Sequence, residues 1–575
     1  MLARTALIAA AACLIGAALI LGTGPERSSA LGPDRPEREV RGPFAPPPLA
    51  SRALPPRTPH RTSTPDHPAH FPSAELCSDC HSTSEASTAL TTDDGADVSQ
   101  SWLWQGTMMA QAFVDPYWRA QLEDSSRTLS PEAGSELETL CVRCHAPAAH
   151  HGALLRGEPA PDLAAASHDP IAFEGVTCSF CHRISGTTMV AGVPDTGELV
   201  LGPPGVYSGP IEQPALRSTA DWTEDVPLDH AYDYIFEDSS ICAPCHTLRT
   251  SHAPGAESFL EQSPYLEWQN SVYSDQPFPT RESRSCQECH MPRADATRLA
   301  RHPSGHDVTE IPEREHFETH AFVGANAFML DLMADHADEL GVVADPDALR
   351  HGAQLARGFL AERTARVRAG EASWLGGRLR FDVDIENLAG HRFPSAYPSR
   401  RAFLEVVVRR GGEVVFSSGT PDATGRLLGD GIGVRPHVNR IRRSSDILVY
   451  EMVPGDADGE PTTTVVAMAS RLKDNRLLPK GWQPSGPNAD ETGPVAIGRD
   501  RDFRAGSDRV AIDVPVAGRG TLDVIVRLHY QAIPPHWVDH LRDNETPHAE
   551  RFLRMYDGRV RTTEAVDEVR VTVEK

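Results

Sequence analysis

Cys77-Ser78-Asp79-Cys80-His81 decides how this chain is read, because the same pattern returns four times. The repeats are Cys141-Val142-Arg143-Cys144-His145, Cys178-Ser179-Phe180-Cys181-His182, Cys242-Ala243-Pro244-Cys245-His246 and Cys286-Gln287-Glu288-Cys289-His290. Each is C-x-x-C-H, the attachment sequence of a c-type haem. Two thiols three positions apart can add to the two vinyl groups of one porphyrin. The histidine that follows then stands under the iron as proximal ligand, which makes His81, His145, His182, His246 and His290 the expected proximal set. The motifs take ten of the eleven cysteines. The cofactor expectation is five c-type haems with their iron.

Two other readings of the cysteines fail. Zinc would use paired C-x-x-C motifs in closed tetrahedral sites. It does not explain a histidine at the same next position every time, and five pairs do not divide into two-pair sites. A thioredoxin-like redox C-x-x-C needs a βαβ context that none of these segments has.

Cys77 to His290 spans 214 residues, too little chain to wrap each porphyrin in its own pocket. The haems must pack on one another, with short helices and loops at their rims, and neighbours can then exchange electrons. The text between motifs is rich in turn formers, as in Leu201-Gly202-Pro203-Pro204-Gly205, so little strand is expected there. Helices are expected over Trp102 to Glu123 and Glu136 to Cys144.

The 575 residues carry a formal charge of −25 with pI near 5.4. That balance argues against nucleic acid, which needs basic patches. It suits solubility and encounter with other redox proteins, such as cytochromes or membrane quinol-linked complexes. Hydrophobic content of 40% is a little below the globular norm, as fits a core made partly of porphyrin.

Met1 to Leu21 reads as a targeting segment, with Arg4 as its positive start and an uncharged run from Thr5. Ser28-Ser29-Ala30 offers a cleavage site, and an uncleaved membrane anchor is the alternative. Cys13 is not a lipid site, since apolar sequence continues beyond it. A periplasmic or extracytoplasmic location follows, with membrane contact only if the segment is retained. Residues 31–72 hold 12 prolines in 42 positions and read as an extended linker.

Beyond the motifs, Asn326 to Met333 is periodic, with a stop at Gly341. Asp345-Pro346 opens a helix towards Arg368. From Trp374 the period becomes two: Leu379, Phe381, Val383 and Ile385 alternate with charged residues. Ala402–Val408 and Glu413–Phe416 flank Gly411-Gly412 as a hairpin. Val510–Val514, Leu522–Leu528 and Val569–Val573 alternate likewise, and a helix over Pro535 to Met555 interrupts them. The expected class is α+β: a signal segment at 1–30, the linker, a multihaem domain at 73–325 that is rich in loops and helices, connecting helices at 326–370, and an antiparallel β-sandwich at 371–575.

Five irons need five second axial ligands unless one stays open. Position relative to the motifs points to His67, His70, His150, His151, His230, His252, His302, His306, His316 and His320, with His151, His230 and His320 foremost. For any single one, a solvated histidine is the plainer reading. Trp104-Gln105-Gly106-Thr107-Met108-Met109-Ala110 offers Met109 as a thioether ligand, which would raise that haem's potential. His316-Phe317-Glu318-Thr319-His320 is not H-E-x-x-H, so a zinc-protease reading fails. Gly455-Asp456-Ala457-Asp458-Gly459 resembles part of a calcium loop but lacks its other acidic positions, and a plain turn is the better reading.

The motif set looks like that of a pentahaem cytochrome c. Trp104-x-x-Thr107-x-Met109-Ala110 resembles the W-x-x-S-x-H-A segment of multihaem cytochromes related to the nitrifier electron carriers and hydroxylamine-oxidoreductase-like proteins, with Met109 where that family has its distal histidine. Gly175-Val176-Thr177-Cys178 resembles the family's G-V-x-C haem site. Pro264–Ser271 and Cys286–Pro292 are similar to segments of bacterial multihaem proteins with a C-terminal β domain. Asn387-Leu388-Ala389-Gly390-His391-Arg392-Phe393-Pro394-Ser395 is similar to their N-x-x-G-H-x-x-P-T, which implies either that His391 reaches back to a haem or that it shapes a turn. The resemblance implies electron transport. An exported carrier is the first reading. A multihaem oxidoreductase with one open iron, acting on a small nitrogen or other inorganic substrate, is the alternative.

Overall fold

The structure, a computed structural model, describes residues 70–574 apart from 186–194, 213, 216–217, 220–227, 252–256, 296, 316 and 560–562. The targeting segment, nearly all of the proline-rich stretch, Cys13, His67, His252 and His316 lie outside the described residues. No described helix is long and apolar enough to cross a membrane.

Four helices start in the same way: a capping side chain followed by proline, whose missing N–H is one the first turn does not need. Asp115 accepts from the Tyr117 N–H ahead of Pro116–Ser126, and Ser130 from Ala133 ahead of Pro131–His145. Asp345 accepts from Asp347 ahead of Pro346–Phe359, and Thr546 from Ala549 ahead of Pro547–Asp557. These caps correct several expected boundaries. The helix expected over Trp102 to Glu123 is two, Gln100–Gln105 and Pro116–Ser126, separated by Gly106 and the Asp115 cap. The Glu136–Cys144 helix begins earlier, at Pro131. The one expected from Pro535 is only short 3-10 turns until Thr546 caps the helix proper.

Gly106 closes the first of these helices against the Pro346–Phe359 helix. A Cβ on Gly352 would sit 1.8 Å from the Gly106 carbonyl oxygen, so the two backbones meet where no side chain fits. The Pro346 helix does not run on to Arg368. It passes through a π-turn at Leu360–Thr364 and becomes the strand Ala365–Ala369, where alternating burial takes over.

The C-terminal strands form two five-stranded sheets. In one, Arg378–Asn387 pairs with Ser507–Pro515, Ser373–Leu375 and Ala365–Ala369. In the other, Arg401–Arg410 pairs with Leu522–Gln531, Glu413–Ser418 and Val449–Tyr450, and Leu522–Gln531 pairs with Glu564–Val573. Pairing is antiparallel except that Arg440–Ile441 joins Ser507–Pro515 in parallel. The hairpin turns on Gly411 and Gly412, both at positive φ, as a primed turn requires. Inward residues of both sheets belong to one buried cluster that also takes in the helix Ala327–Asp335 and Tyr117. The architecture is therefore mixed α+β with mostly antiparallel sheets. Short two-stranded pairs also occur among the cysteine motifs, including the parallel pair Val206–Gly209 with Asp229–Tyr232, where little strand was expected.

The helix Pro547–Asp557 packs back on Pro116–Ser126, with the Tyr117 and Phe552 rings 5.2 Å apart and the His548 N–H donating to Glu123. Gly455–Gly459 is a turn: Asp456 accepts from the N–H groups of Asp458 and Glu460 at 3.0 and 2.9 Å, so its carboxylate is spent on backbone.

Candidate haem-binding site

Each motif lies where a helix ends, at the motif histidine or one residue before it: Ala74–His81, Pro131–His145, Cys178–Cys181, Ala243–His246 (with Cys242 closing the 3-10 turn Ser239–Cys242 ahead of it) and Cys286–His290. Helical spacing brings thiols three apart to one face. Caps set where each turn starts. Ser73 accepts from the Glu75 N–H, and Ser285 with Glu288 forms a capping box immediately before Cys286. None of the ten motif cysteines is in a disulfide, and each is partly buried.

The fold gathers the motifs out of sequence order. Cys178 is hydrogen-bonded to Cys77, Cys245 to Cys144, and Cys242 to Cys286. Burial pushes the Cys181 thiol up to about 12, with the Cys245 thiol adding to the shift. The first motif therefore adjoins the third. The fourth touches the second and the fifth.

Four of the five motif histidines are held in the same way. His81 Nδ1 lies 2.9 Å from the Leu299 carbonyl oxygen, His145 Nδ1 2.9 Å from that of Ala112, His182 Nδ1 2.7 Å from that of Ser208, and His290 Nδ1 2.6 Å from that of Val323. A carbonyl only accepts, so Nδ1 carries the proton and Nε2 keeps its lone pair. That is the tautomer in which a metal-ligating histidine is usually oriented. Burial lowers the basicity of His81, His145 and His290 to about 4, so these imidazoles are neutral at ordinary pH. The His145 ring is also stacked on Trp118, 4.1 Å between centroids and 6° from parallel. His246 has no such carbonyl among the described residues.

Two motif histidines face a second imidazole. His182 and His320 have centroids 6.1 Å apart with planes within 19°, and His290 and His391 have centroids 6.0 Å apart within 17°. Two imidazoles trans on one metal, each with nitrogen about 2 Å from it, put their centroids roughly 6 Å apart. His320 is partly buried, and desolvation takes it down to about 3. His391 donates from Nδ1 to the Arg392 carbonyl at 2.9 Å, leaving Nε2 as a ligand atom in the same way as the motif histidines.

The other candidates are placed less specifically. His230, on the strand Asp229–Tyr232, is close enough for its charge to act on both His81 and His182. His151 sits 5.3 Å from Phe180 inside the third motif, with Nε2 buried and unpartnered. Met109 lies beside the approach to that motif, where its carbonyl accepts from the Val176 N–H. His302 and His306 stack at 4.5 Å and both bond Ser304.

Sequence reasoning singled out the loop of His391 but missed what anchors it. The helix Pro264–Gln269 presents Glu267, wholly buried, whose carboxylate accepts from the Arg392 N–H at 3.0 Å and the Ser395 hydroxyl at 2.7 Å. Arg392 in turn donates to Asp474 at 3.0 Å, and Arg476 to Asp474 at 2.8 Å. The one signal was a glutamate on an otherwise apolar helix, too weak alone. His437, Asp500 and Asp508 form another buried cluster. There the Asn475 amide donates to His437 Nδ1, so Nε2 carries the proton and donates to Asp500 at 3.1 Å. This is a proton-filled pair and not a metal-ligand set.

These features fit the group that C-x-x-C-H implies: paired thiols on one helical face, proximal nitrogens poised by carbonyls, and opposed imidazoles at a trans spacing. The chain matches no protein-family model and no curated protein. Among solved structures it is similar to a penta-heme cytochrome c552 from Thermochromatium tepidum, with a TM-score of 0.50 and 16% identity over 87% of this chain and 99% of that one. At that identity the likeness is one of fold, and it extends over both the motif-bearing part and the sheets.

Proposed function

We propose that this protein is an exported pentahaem c-type cytochrome that relays electrons between redox partners. The observation that carries the reading is the shared placement of His81, His145, His182 and His290, each with Nδ1–H on a carbonyl and Nε2 free to ligate. The ten motif cysteines would hold the porphyrins, which when bound supply one-electron redox chemistry. His320 and His391 would complete the third and fifth sites, and His230 the first. Thiol contacts would set the first haem beside the third, and the fourth beside the second and the fifth. Carbonyl partners fix the proximal rings, and burial keeps water and protons from their nitrogens.

The two C-terminal sheets, read as the faces of a sandwich, anchor the loop that carries His391. The negative surface favours neutral or basic partners outside the cytoplasm, and the resemblance to nitrifier-type multihaem proteins fits such a role. The test is mass analysis of the mature protein together with a potentiometric titration. Five covalently added porphyrins titrating over several potentials are expected. A chain without porphyrin would overturn the proposal.

A further inference from the structure

Three large apolar side chains are exposed on one loop of the C-terminal part. Leu428, Ile432 and Val434 are 65%, 49% and 44% exposed, a concentration that marks an interaction site more often than chance. Both ends of the loop are fixed. At one, Leu427 is buried with Phe403, Ile447 and Val449. At the other, His437 bonds Asp500 and Asn475 at 3.1 and 2.9 Å. Between these anchors the chain stands clear of the fold: a Cβ added at Gly431 or Gly433 would meet no atom within 4 Å. Arg435 donates to the Leu428 carbonyl at 3.1 Å, which draws the two ends of the apolar stretch together into one tip.

The charge beside this tip is opposite to that of the protein. Residues 426–443 hold five arginines and one acidic residue, Asp430, in a chain of net charge −25. Asp430 is turned inward: its carboxylate accepts from Arg401 at 2.7 and 2.9 Å and from the Leu427 N–H at 2.9 Å. Arg440, Arg442 and Arg443 are exposed. Arg443 pairs with Asp446, whereas among the described residues neither Arg440 nor Arg442 has a carboxylate within ion-pair distance. Packing sets the arginines beside the apolar tip. Leu427 shares its cluster with Ile447, and the preceding Asp446 accepts from the Arg442 and Arg443 N–H groups at 2.9 and 3.1 Å.

We propose that this loop and the Arg440–Arg443 turn are a membrane-docking edge: Leu428, Ile432 and Val434 enter the headgroup boundary of a bilayer that contains anionic phospholipid, and Arg440, Arg442 and Arg443 meet its phosphates. The inference goes beyond the electron relay and needs only that the protein reaches a bilayer surface. A rigid protein partner must supply a cavity shaped to a protruding tip, whereas a fluid headgroup layer closes around it. The guanidinium fork matches phosphate oxygens. Screening limits exposed charges to a range of about 8 Å at physiological ionic strength, so the arginines at the tip act on the lipid while acidic groups farther off do not. The acidic remainder then faces away from the bilayer, which gives the bound protein one orientation.

The experiment is co-sedimentation of the mature haem-loaded protein with phosphatidylcholine vesicles, made with and without phosphatidylglycerol. Wild type should bind the anionic vesicles and leave them as salt is raised. Arg440→Gln and Arg442→Gln should each weaken binding about fivefold, and Ile432→Ser about tenfold, with circular dichroism and Soret spectra unchanged. Arg554→Gln, which removes an exposed arginine from the helix Pro547–Asp557, should bind as wild type does. No binding to anionic vesicles would overturn the proposal. So would binding that Arg442→Gln and Ile432→Ser leave unchanged, which with equal binding to phosphatidylcholine alone would assign the contact to a retained Thr5–Leu21 segment. Binding of poly-glutamate but not of vesicles would make the partner an acidic protein, and dimers that the same variants dissociate would make it a second copy; either result rejects the lipid. None of these outcomes bears on the haem reading, which stands or falls with covalent porphyrin.

Discussion

Replacing Glu267 by glutamine tests the link between the motif-bearing part and the loop that carries His391. Glu267, Asp474, Arg392 and Arg476 form a buried set of two anions and two cations, with side-chain exposures of 0%, 0%, 0% and 5%. The neutral amide would leave a buried positive charge uncompensated. Its nitrogen must also point either at the Arg392 N–H and Ser395 hydroxyl, now on Oε2, or at the Ser263 hydroxyl and Arg476 Nη2, near Oε1 at 3.2 and 3.4 Å. On either side one partner, the Arg392 N–H or the Arg476 guanidinium, can only donate. Removing one partner of a buried ion pair costs about 3–5 kcal/mol, and the donor clash keeps Glu267→Gln at the upper end of that range. Guanidinium unfolding of the haem-loaded protein, followed by tryptophan emission and Soret absorbance, measures it. Arg443→Gln is the control: Arg443 is 78% exposed in a local pair with Asp446, and its loss should stay within about 0.5 kcal/mol. Because the Arg392 N–H that Glu267 binds directly follows His391, one low-spin haem signal should weaken below the main transition. A Glu267→Gln protein within about 1 kcal/mol of wild type, with unchanged haem spectra, would refute the reasoning.

Three further outcomes are expected. His320→Ala and His391→Ala should each convert one low-spin iron to high-spin, seen by resonance Raman, while the other stays as it was; no spectral change would remove that residue from the ligand set. Gly352→Ala forces a methyl onto the Gly106 carbonyl and should cost about 1–3 kcal/mol, read as a lowered unfolding midpoint. Asp474 sets an acid limit. Its burial alone would raise its pKa, but Arg392 and Arg476 prevail and hold it well below the carboxylate range. A depressed pKa gives stability that is present above the unfolded value of about 3.9 and lost as pH falls through the folded one. Stability should therefore drop steeply below about pH 4, and Asp474→Asn should flatten that slope.

What could be read from the sequence followed from how local each constraint is. Thioether attachment needs two thiols and a histidine in contiguous order, so the motifs announce themselves. Arg378–Asn387 alternates buried and exposed residues along its length as a two-sided strand must, and Asp345-Pro346 marks a helix start through its own chemistry. The helix end near Phe359 was not readable, because Ala365–Ala369 is strand only by virtue of pairing with Val383–Asn387. The facing of His320 on His182 and of His391 on His290 joins positions more than a hundred residues apart, and one sequence carries no trace of that proximity.

The cross-motif thiol contacts bear on how the protein is made. Cys77 meets Cys178, Cys144 meets Cys245 and Cys242 meets Cys286, so a chain that closed before its sulfurs were capped would hold them ready for oxidation to the wrong partners. In an oxidising compartment, disulfide formation between such neighbours, with an external oxidant taking the two electrons, competes with porphyrin addition. Maturation therefore has to keep each segment open until its sulfurs are spent. The pairing of early motifs with later ones makes that a matter of order along the emerging chain.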